Sequence, residues 1–180
     1  MKFRKIIIHL LFAFLLLGCN SKSSAINLEN KNNDENYGYI ISIDIDASKE
    51  KIWSLITDFE NYPKWNSVLK MENNDNLKLE KNFLVTIFDE NGLIEDNFKA
   101  MLLDKKKYRY FSPSQTLLTK HFFKATHQFL IEEISQNKVK FTQKWKLEGV
   151  IAYLFEAMIF DVLNIFKTMN LELKEKAEES

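Results

Sequence analysis

Glycine, proline and cysteine are all scarce in this 180-residue chain, and the scarcity closes off several classes of function. Four Gly leave no Gly-rich loop of the kind whose backbone amides cradle a phosphate. The single Cys, Cys19, excludes a disulfide within the chain. Only His121 and His127 lie beyond the first 18 residues, and the carboxylates around them are scattered, so no metal and no cofactor are expected. No Ser-His-Asp or Cys-His spacing marks a nucleophile. Net charge is missing too: 25 Lys and Arg balance 25 Asp and Glu. A nucleic-acid binder normally carries a basic excess, so no nucleic-acid partner is expected.

Apolar residues are 46% of the chain and charged residues 28%, the balance of a globular protein. Phe alone appears 15 times. That much aromatic surface either fills a large core or lines a cavity.

The first residues read as an address. Lys2, Arg4 and Lys5 precede an apolar run, Ile6 to Leu17, that is too short for a comfortable membrane span. The run ends Leu16-Leu17-Gly18-Cys19, which resembles the lipobox of bacterial lipoproteins. The resemblance implies that residues 1–18 are a signal peptide, removed before Cys19. Cys19 would then carry the acyl chains, which anchor the protein to a membrane without spanning it. Asn20, rather than Asp, follows Cys19, which favours the outer membrane facing the periplasm as the place in the cell envelope. Residues 19–38 are rich in Asn, Ser, Lys and Glu and are expected to be a flexible tether, with docking of Ile26 and Leu28 as the alternative.

Residues 39–180 are expected to form the folded domain, as a monomer. Tyr39 to Asp46 alternates, with Ile41, Ile43 and Ile45 on one face, as in a half-buried strand. Ser48 then suits an N-cap, and Ile52, Leu55, Ile56 and Phe59 share one face of a helix over 49–59. Pro63 marks a second short turn. Strands are predicted over 82–88, 93–103, 108–111, 120–133 and 138–149, with Asn91-Gly92 a hairpin signal and Ser112-Pro113-Ser114 a break. In the last strand Val139, Phe141, Gln143, Trp145 and Leu147 point one way and mostly charged residues the other. From Val150 to Glu178 the spacing is helical, with Ile151, Phe155, Met158, Val162, Ile165, Met169 and Leu173 as the apolar stripe. Glu156, Asp161 and Asn164 interrupt the run and argue against a membrane span. This order is α+β: an antiparallel sheet with its helices on one side.

Particular residues carry a family resemblance. Ala47, Ile52, Trp53, Ile56 and Asp58, followed by Tyr62, Trp65 and Asn66, match a strand–helix–turn pattern. His127-x-Phe129 with Glu132, Phe141-x-Gln143, and the run Met169 to Glu179 match later segments in order. The chain thereby resembles the START/Bet v 1-like superfamily, in particular its polyketide cyclase/dehydrase-type members, over about Tyr39 to Glu178. The resemblance implies a helix-grip fold: a curved antiparallel sheet of six or seven strands around a long C-terminal helix, with two short helices after the first strand. It also implies an apolar cavity that takes a hydrophobic small molecule or lipid. Three departures stand out: Ser67 where a Pro often follows Trp-Asn, Leu147 where Phe ends the strand, and Trp145 at a commonly polar position.

The residues expected to face that cavity are Trp65, Phe98, Tyr110, His127, Phe129, Phe141, Gln143, Trp145, Phe155, Met158 and Val162. His127 shares a face with Phe129 and Ile131, where it would serve as a hydrogen-bond anchor or an acid/base. No set of groups marks a reaction. Asp96 is in phase with Ile94, Phe98 and Ala100 but close to a hairpin end, where exposure is expected. The leading expectation is a lipid-anchored binder or carrier of a hydrophobic ligand. The alternatives are a cyclase- or dehydratase-type enzyme and a partner-binding lipoprotein whose core is filled.

Overall fold

A computed structural model describes residues 27–29, 38–72, 78–152 and 156–179. The predicted signal peptide, Cys19, most of the predicted tether and Phe155 lie outside these residues. So does the side chain of Met158, although its backbone is helical.

The elements run β1 (Asn27–Glu29), β2 (Tyr39–Ile45), α1 (Lys49–Thr57), a 3-10 turn (Phe59–Lys64), β3 (Leu69–Glu72), β4 (Asn82–Phe88), β5 (Ile94–Lys106), β6 (Tyr110–Leu117), β7 (Phe123–Ser135), β8 (Lys138–Glu148) and α2 (Glu156–Glu178). The strands form one antiparallel sheet in the order β1-β2-β8-β7-β6-β5-β4-β3. Strands β2 to β8 are seven, within the six or seven expected, and β3 is the one that no predicted segment covers. The eighth, β1, is taken from the predicted tether: Leu28 pairs with Ile41 along the open edge of β2. An edge strand exposes a row of unpaired amides and carbonyls, and even three residues cover part of it.

Local chemistry explains the boundaries. The Ser48 side chain accepts from the Lys51 N–H at 3.2 Å, capping α1. Ile52 and Ile56, one turn apart, are its fully buried residues. After the 3-10 turn, Asn66 Oδ1 accepts from the amides of both Val68 and Leu69 at 3.0 Å, which turns the chain into β3. Ser67, at the position where Pro was the expectation, uses the N–H that a Pro lacks. Its amide and its hydroxyl both donate to Glu172 of α2, at 3.0 and 2.5 Å.

Two expectations are corrected. Pro113 does not end a strand; it lies inside β6 and pairs with Leu102. The ladder shifts register between Leu102 and Asp104, so that Leu103 is an extra residue. On the other side, pairing with β7 skips from Phe111 to Ser114. A bulge beside a gap in the ladder is where a residue without an N–H is tolerated. The long helix also begins later than Val150. Gly149 turns the chain at φ +105°, and the amides of Val150 and Ile151 are donated to the carbonyls of His121 and Phe122.

The inward face of the sheet closes on α1, the 3-10 turn and α2. Among the described residues the buried side of α2 is Leu163, Phe166, Met169, Asn170, Leu173 and Ala177, with Val162 and Ile165 half-buried beside it. Met169 and Leu173 are buried as predicted, whereas in the preceding turns Leu163 and Phe166 are the buried residues and not Val162 and Ile165. Phe59, Tyr62, Phe111, Phe129 and Phe141 pack together at the centre: Phe111 stacks on Phe129 at 4.6 Å and Phe59 meets Tyr62 edge-on at 5.3 Å. Each such fully buried aromatic contributes about 1.5–3 kcal/mol relative to an exposed one.

Candidate functional site

The grip is filled at one end and open at the other. Strand directions place the starts of β3, β5 and β7, the ends of β4, β6 and β8, and the start of α2 at a common end. There a cavity of about 150 Å³ remains among the inward side chains. Its walls come from Met71 of β3, Val85 and Ile87 of β4, Phe98 and Ala100 of β5, Ala125 of β7, Leu147 of β8 and Val162 of α2. Among the described residues this end of the core is not filled.

The floor is a layer of three rings. His127 and Trp145 are partners across the β7–β8 ladder. Their rings stack at 4.3 Å, and Phe166 of α2 meets the imidazole edge-on at 4.7 Å. Beneath, Phe129 lies 4.1 Å from the imidazole, at the top of the aromatic plug. Trp145, at the position where polar residues were expected, narrows the cavity and supplies a flat apolar surface.

Below the floor runs a buried polar chain. His127 Nε2 is 2.8 Å from Gln143 Oε1. Gln143 Nε2 donates to Asn170 Oδ1 at 2.6 Å and to the Phe166 carbonyl at 3.3 Å. Gln143 and Asn170 have no solvent exposure. Buried amides need partners: both ends of the Gln143 amide are used across the sheet–helix interface, while Asn170 Nδ2 has no partner among the described residues. Burial holds the imidazole of His127 down at about 3, against the smaller upward pull of its bond to Gln143. The ring is neutral at any ordinary pH. Its remaining exposed surface opens on the cavity.

Asp96, expected to be exposed, is half-buried and lines the same cavity. Burial raises its carboxyl, more than the Asn97 N–H, which donates to Oδ1 at 2.7 Å, lowers it.

Of the residues expected at the cavity, Phe98, His127, Trp145 and Val162 line it. Phe129, Phe141 and Gln143 are on the inward face but lie below the floor, wholly buried. Trp65 is half-buried against the core, edge-on to Tyr62 at 5.0 Å, and does not line the cavity. Tyr110 is at the opposite end of β6, three residues before Pro113 and so roughly 10 Å along the strand. Its hydroxyl donates to Asp104 at 2.8 Å. The Lys106–Arg109 turn puts it there, because β6 starts at the filled end. Phe155 and the side chain of Met158 are outside the described residues. The sequence reading missed Phe166 and Asn170. Their spacing of four, continued to Leu173 and Ala177, is the signal that marks them.

Among the described residues no group of three His, Cys, Asp or Glu is disposed to hold a metal ion. Among the same residues no helix is long and apolar enough to cross a membrane.

No family model matches the sequence, and no curated protein matches it. Solved structures do match. A START superfamily protein from Mycobacterium smegmatis is 18% identical, with a TM-score of 0.54 over 76% of this chain and 96% of that one. Thalictrum flavum norcoclaurine synthase is 7% identical, with a TM-score of 0.58 over 87% of this chain and 97% of that one. The di-domain ARO/CYC BexL from the BE-7585A biosynthetic pathway is 14% identical, with a TM-score of 0.56 over 76% of this chain and 44% of that one. At such identities the likeness shows the fold alone: together with the sheet and its grip on α2 it establishes that this chain has the helix-grip fold, shared with the START superfamily protein and the two others.

Proposed function

We propose that this protein is a lipid-anchored lipoprotein of the bacterial cell envelope that binds, and carries, a hydrophobic small molecule in the cavity above His127 and Trp145. The observation that carries the reading is the cavity: about 150 Å³ is left open between an apolar wall and a floor of three rings. Apolar pockets with a few convergent polar groups are the usual form of a small-molecule site. The lipobox-like Leu16-Leu17-Gly18-Cys19 supports the anchor, with acyl chains on Cys19 holding the monomer at the outer membrane.

The test is made on the full chain, expressed in a bacterial host and purified from its membranes. Peptide mass spectrometry of the N-terminus reads Cys19, and native mass spectrometry of the intact protein reads bound small molecules. The expected result is a mature chain beginning at acylated Cys19, with a stoichiometric adduct of one chemical class. An unmodified Cys19 removes the anchor. A bare mass, with no uptake of any small apolar probe, removes the ligand.

A second reading draws on Asp96 and His127 lining one cavity. Environments that push a carboxyl up and an imidazole down are a pattern of acid–base sites. Turnover of a bound compound that is lost in His127→Gln, with binding retained, would favour this reading over simple binding.

A further inference from the structure

The proton on His127 can be placed from the far end of its hydrogen-bond chain. The Phe166 carbonyl oxygen only accepts, and it lies 3.3 Å from one end of the Gln143 amide, which must therefore be the NH₂. The other end of that amide, Oε1, is then the acceptor that meets His127 Nε2 at 2.8 Å. So Nε2 carries the hydrogen, and Nδ1 of the neutral ring carries a lone pair. Among the described residues Nδ1 has no hydrogen-bond partner. The ring cannot turn away, because Trp145 and Phe129 lie against its faces and Phe166 abuts it.

The other polar groups at the cavity carry no positive charge: Gln115 adds an uncharged amide beside Ser114 and Asp96. Ser114 already donates to the Ala125 carbonyl at 2.9 Å. Asp96 offers a carboxyl, and no Lys or Arg lines the cavity among the described residues. An anionic head group would find no cation and no free charged donor here. A space of about 150 Å³ is also close to the apolar cavity that takes a single benzene ring in a model protein, and well short of an acyl chain.

We infer that the cavity selects an uncharged ligand about one ring in size that donates a hydroxyl, of phenol or alcohol type, to Nδ1 of His127. His127 is then an acceptor that sets specificity rather than a group that gives up a proton. This rests on the ligand-binding reading and narrows it, away from fatty acids and phospholipids.

The test uses the full-length protein in phosphatidylcholine nanodiscs at neutral pH, with empty discs as the partition control. Fluorine NMR follows 4-fluorophenol, 4-fluoroanisole, fluorobenzene and 4-fluorobenzoate. The expected result is that 4-fluorophenol binds roughly tenfold tighter than 4-fluoroanisole, which keeps the oxygen but lacks the donor, while 4-fluorobenzoate does not bind. His127→Phe keeps a ring of similar size and should level the phenol and anisole affinities. A preference for phenol over anisole of less than about threefold, or benzoate as the tightest ligand, overturns the inference. Should His127→Phe fail to fold, the wild-type series alone decides. Equal binding of the three neutral rings sinks this inference and leaves the ligand reading standing; binding of none sinks both.

Discussion

Gln143 of β8 and Asn170 of α2 face each other at 2.6 Å in the middle of the core, both without solvent exposure. This pair joins the sheet to the helix and, through Gln143 Oε1, holds the floor of the cavity in place. Removing one member should cost more than removing both. Gln143→Leu leaves the Nε2–H of His127 and the Oδ1 of Asn170 buried without partners, for an expected loss of about 2–4 kcal/mol. In Gln143→Leu/Asn170→Leu the second orphan is gone, and stability should recover by about 1 kcal/mol or more. Urea unfolding of the two variants decides it. A double variant less stable than the single one would show that the pair is stabilising in itself, beyond its mutual satisfaction.

How far the sequence reveals this site depends on which physical signal is read. Period two in β8 places Gln143 and Trp145 on the inward face, and that is where they lie. Alternation gives a face, however, and not a depth. Phe129, Phe141 and Gln143 share the inward face with His127 and Trp145, yet Phe129 and Gln143 sit one layer lower and Phe141 two, because the aromatic plug at the filled end is built by α1 and the 3-10 turn from elsewhere in the chain. The helix shows the complementary limit. Its apolar residues are dense enough that two stripes are plausible, and only packing against the sheet selects the one holding Asn170. Pro113 misleads for a third reason: a proline is a strand breaker only where its missing N–H is needed, and a bulge at Leu103 with a gap in the β7 ladder removes the need.

Burial of His127 has a consequence for stability against pH. The ordinary imidazole value of 6.5 applies to the unfolded chain, while the folded value is about 3. Between these values the unfolded chain takes up a proton that the folded chain refuses. Stability therefore falls as pH drops below 6.5, with a slope of up to about 1.4 kcal/mol per pH unit from this one group. His127→Gln lacks the group. Relative to that variant, the wild type should lose about 1–2 kcal/mol between pH 7 and pH 5. That window lies above the range in which Glu178, whose carboxyl is lowered by Lys174, begins to contribute in the same direction. Parallel stability curves for the two proteins over this window would contradict the buried neutral ring.

Gly149 is the hinge between β8 and the segment that leads to α2. Its φ of +105° is strained for any L side chain, and a Cβ built there would lie 2.4 Å from the Phe122 carbonyl oxygen and 2.6 Å from its carbon. These are backbone atoms with nowhere to move, since Val150 and Ile151 are bonded to the same stretch. Gly149→Ala should cost at least about 2 kcal/mol. For Gly92, at φ +74° in the β4–β5 hairpin, a Cβ would meet nothing within 4 Å. Gly92→Ala should cost only about 1 kcal/mol. Thermal unfolding of both variants separates the effects, and equal losses would mean that the Phe122 contact is not tight.

Trp145 limits what the cavity can hold. Its indole stacks on His127 at 4.3 Å and meets Phe166 at 5.3 Å, and replacing it with a smaller apolar residue would merge its volume with the existing space. Trp145→Leu should destabilise the protein by about 2–4 kcal/mol through lost contacts and the enlarged void. It should also admit a fused-ring ligand that the wild type excludes. With 6-fluoro-2-naphthol as the fluorine NMR probe, the variant is expected to bind at least tenfold tighter than the wild type. The hydroxyl still has its acceptor on His127, so 4-fluorophenol should keep a detectable affinity for the variant. Equal binding of the naphthol to both proteins would mean that the ligand space lies elsewhere than above this indole, because a wall that sets the size limit must change the limit when it is cut back.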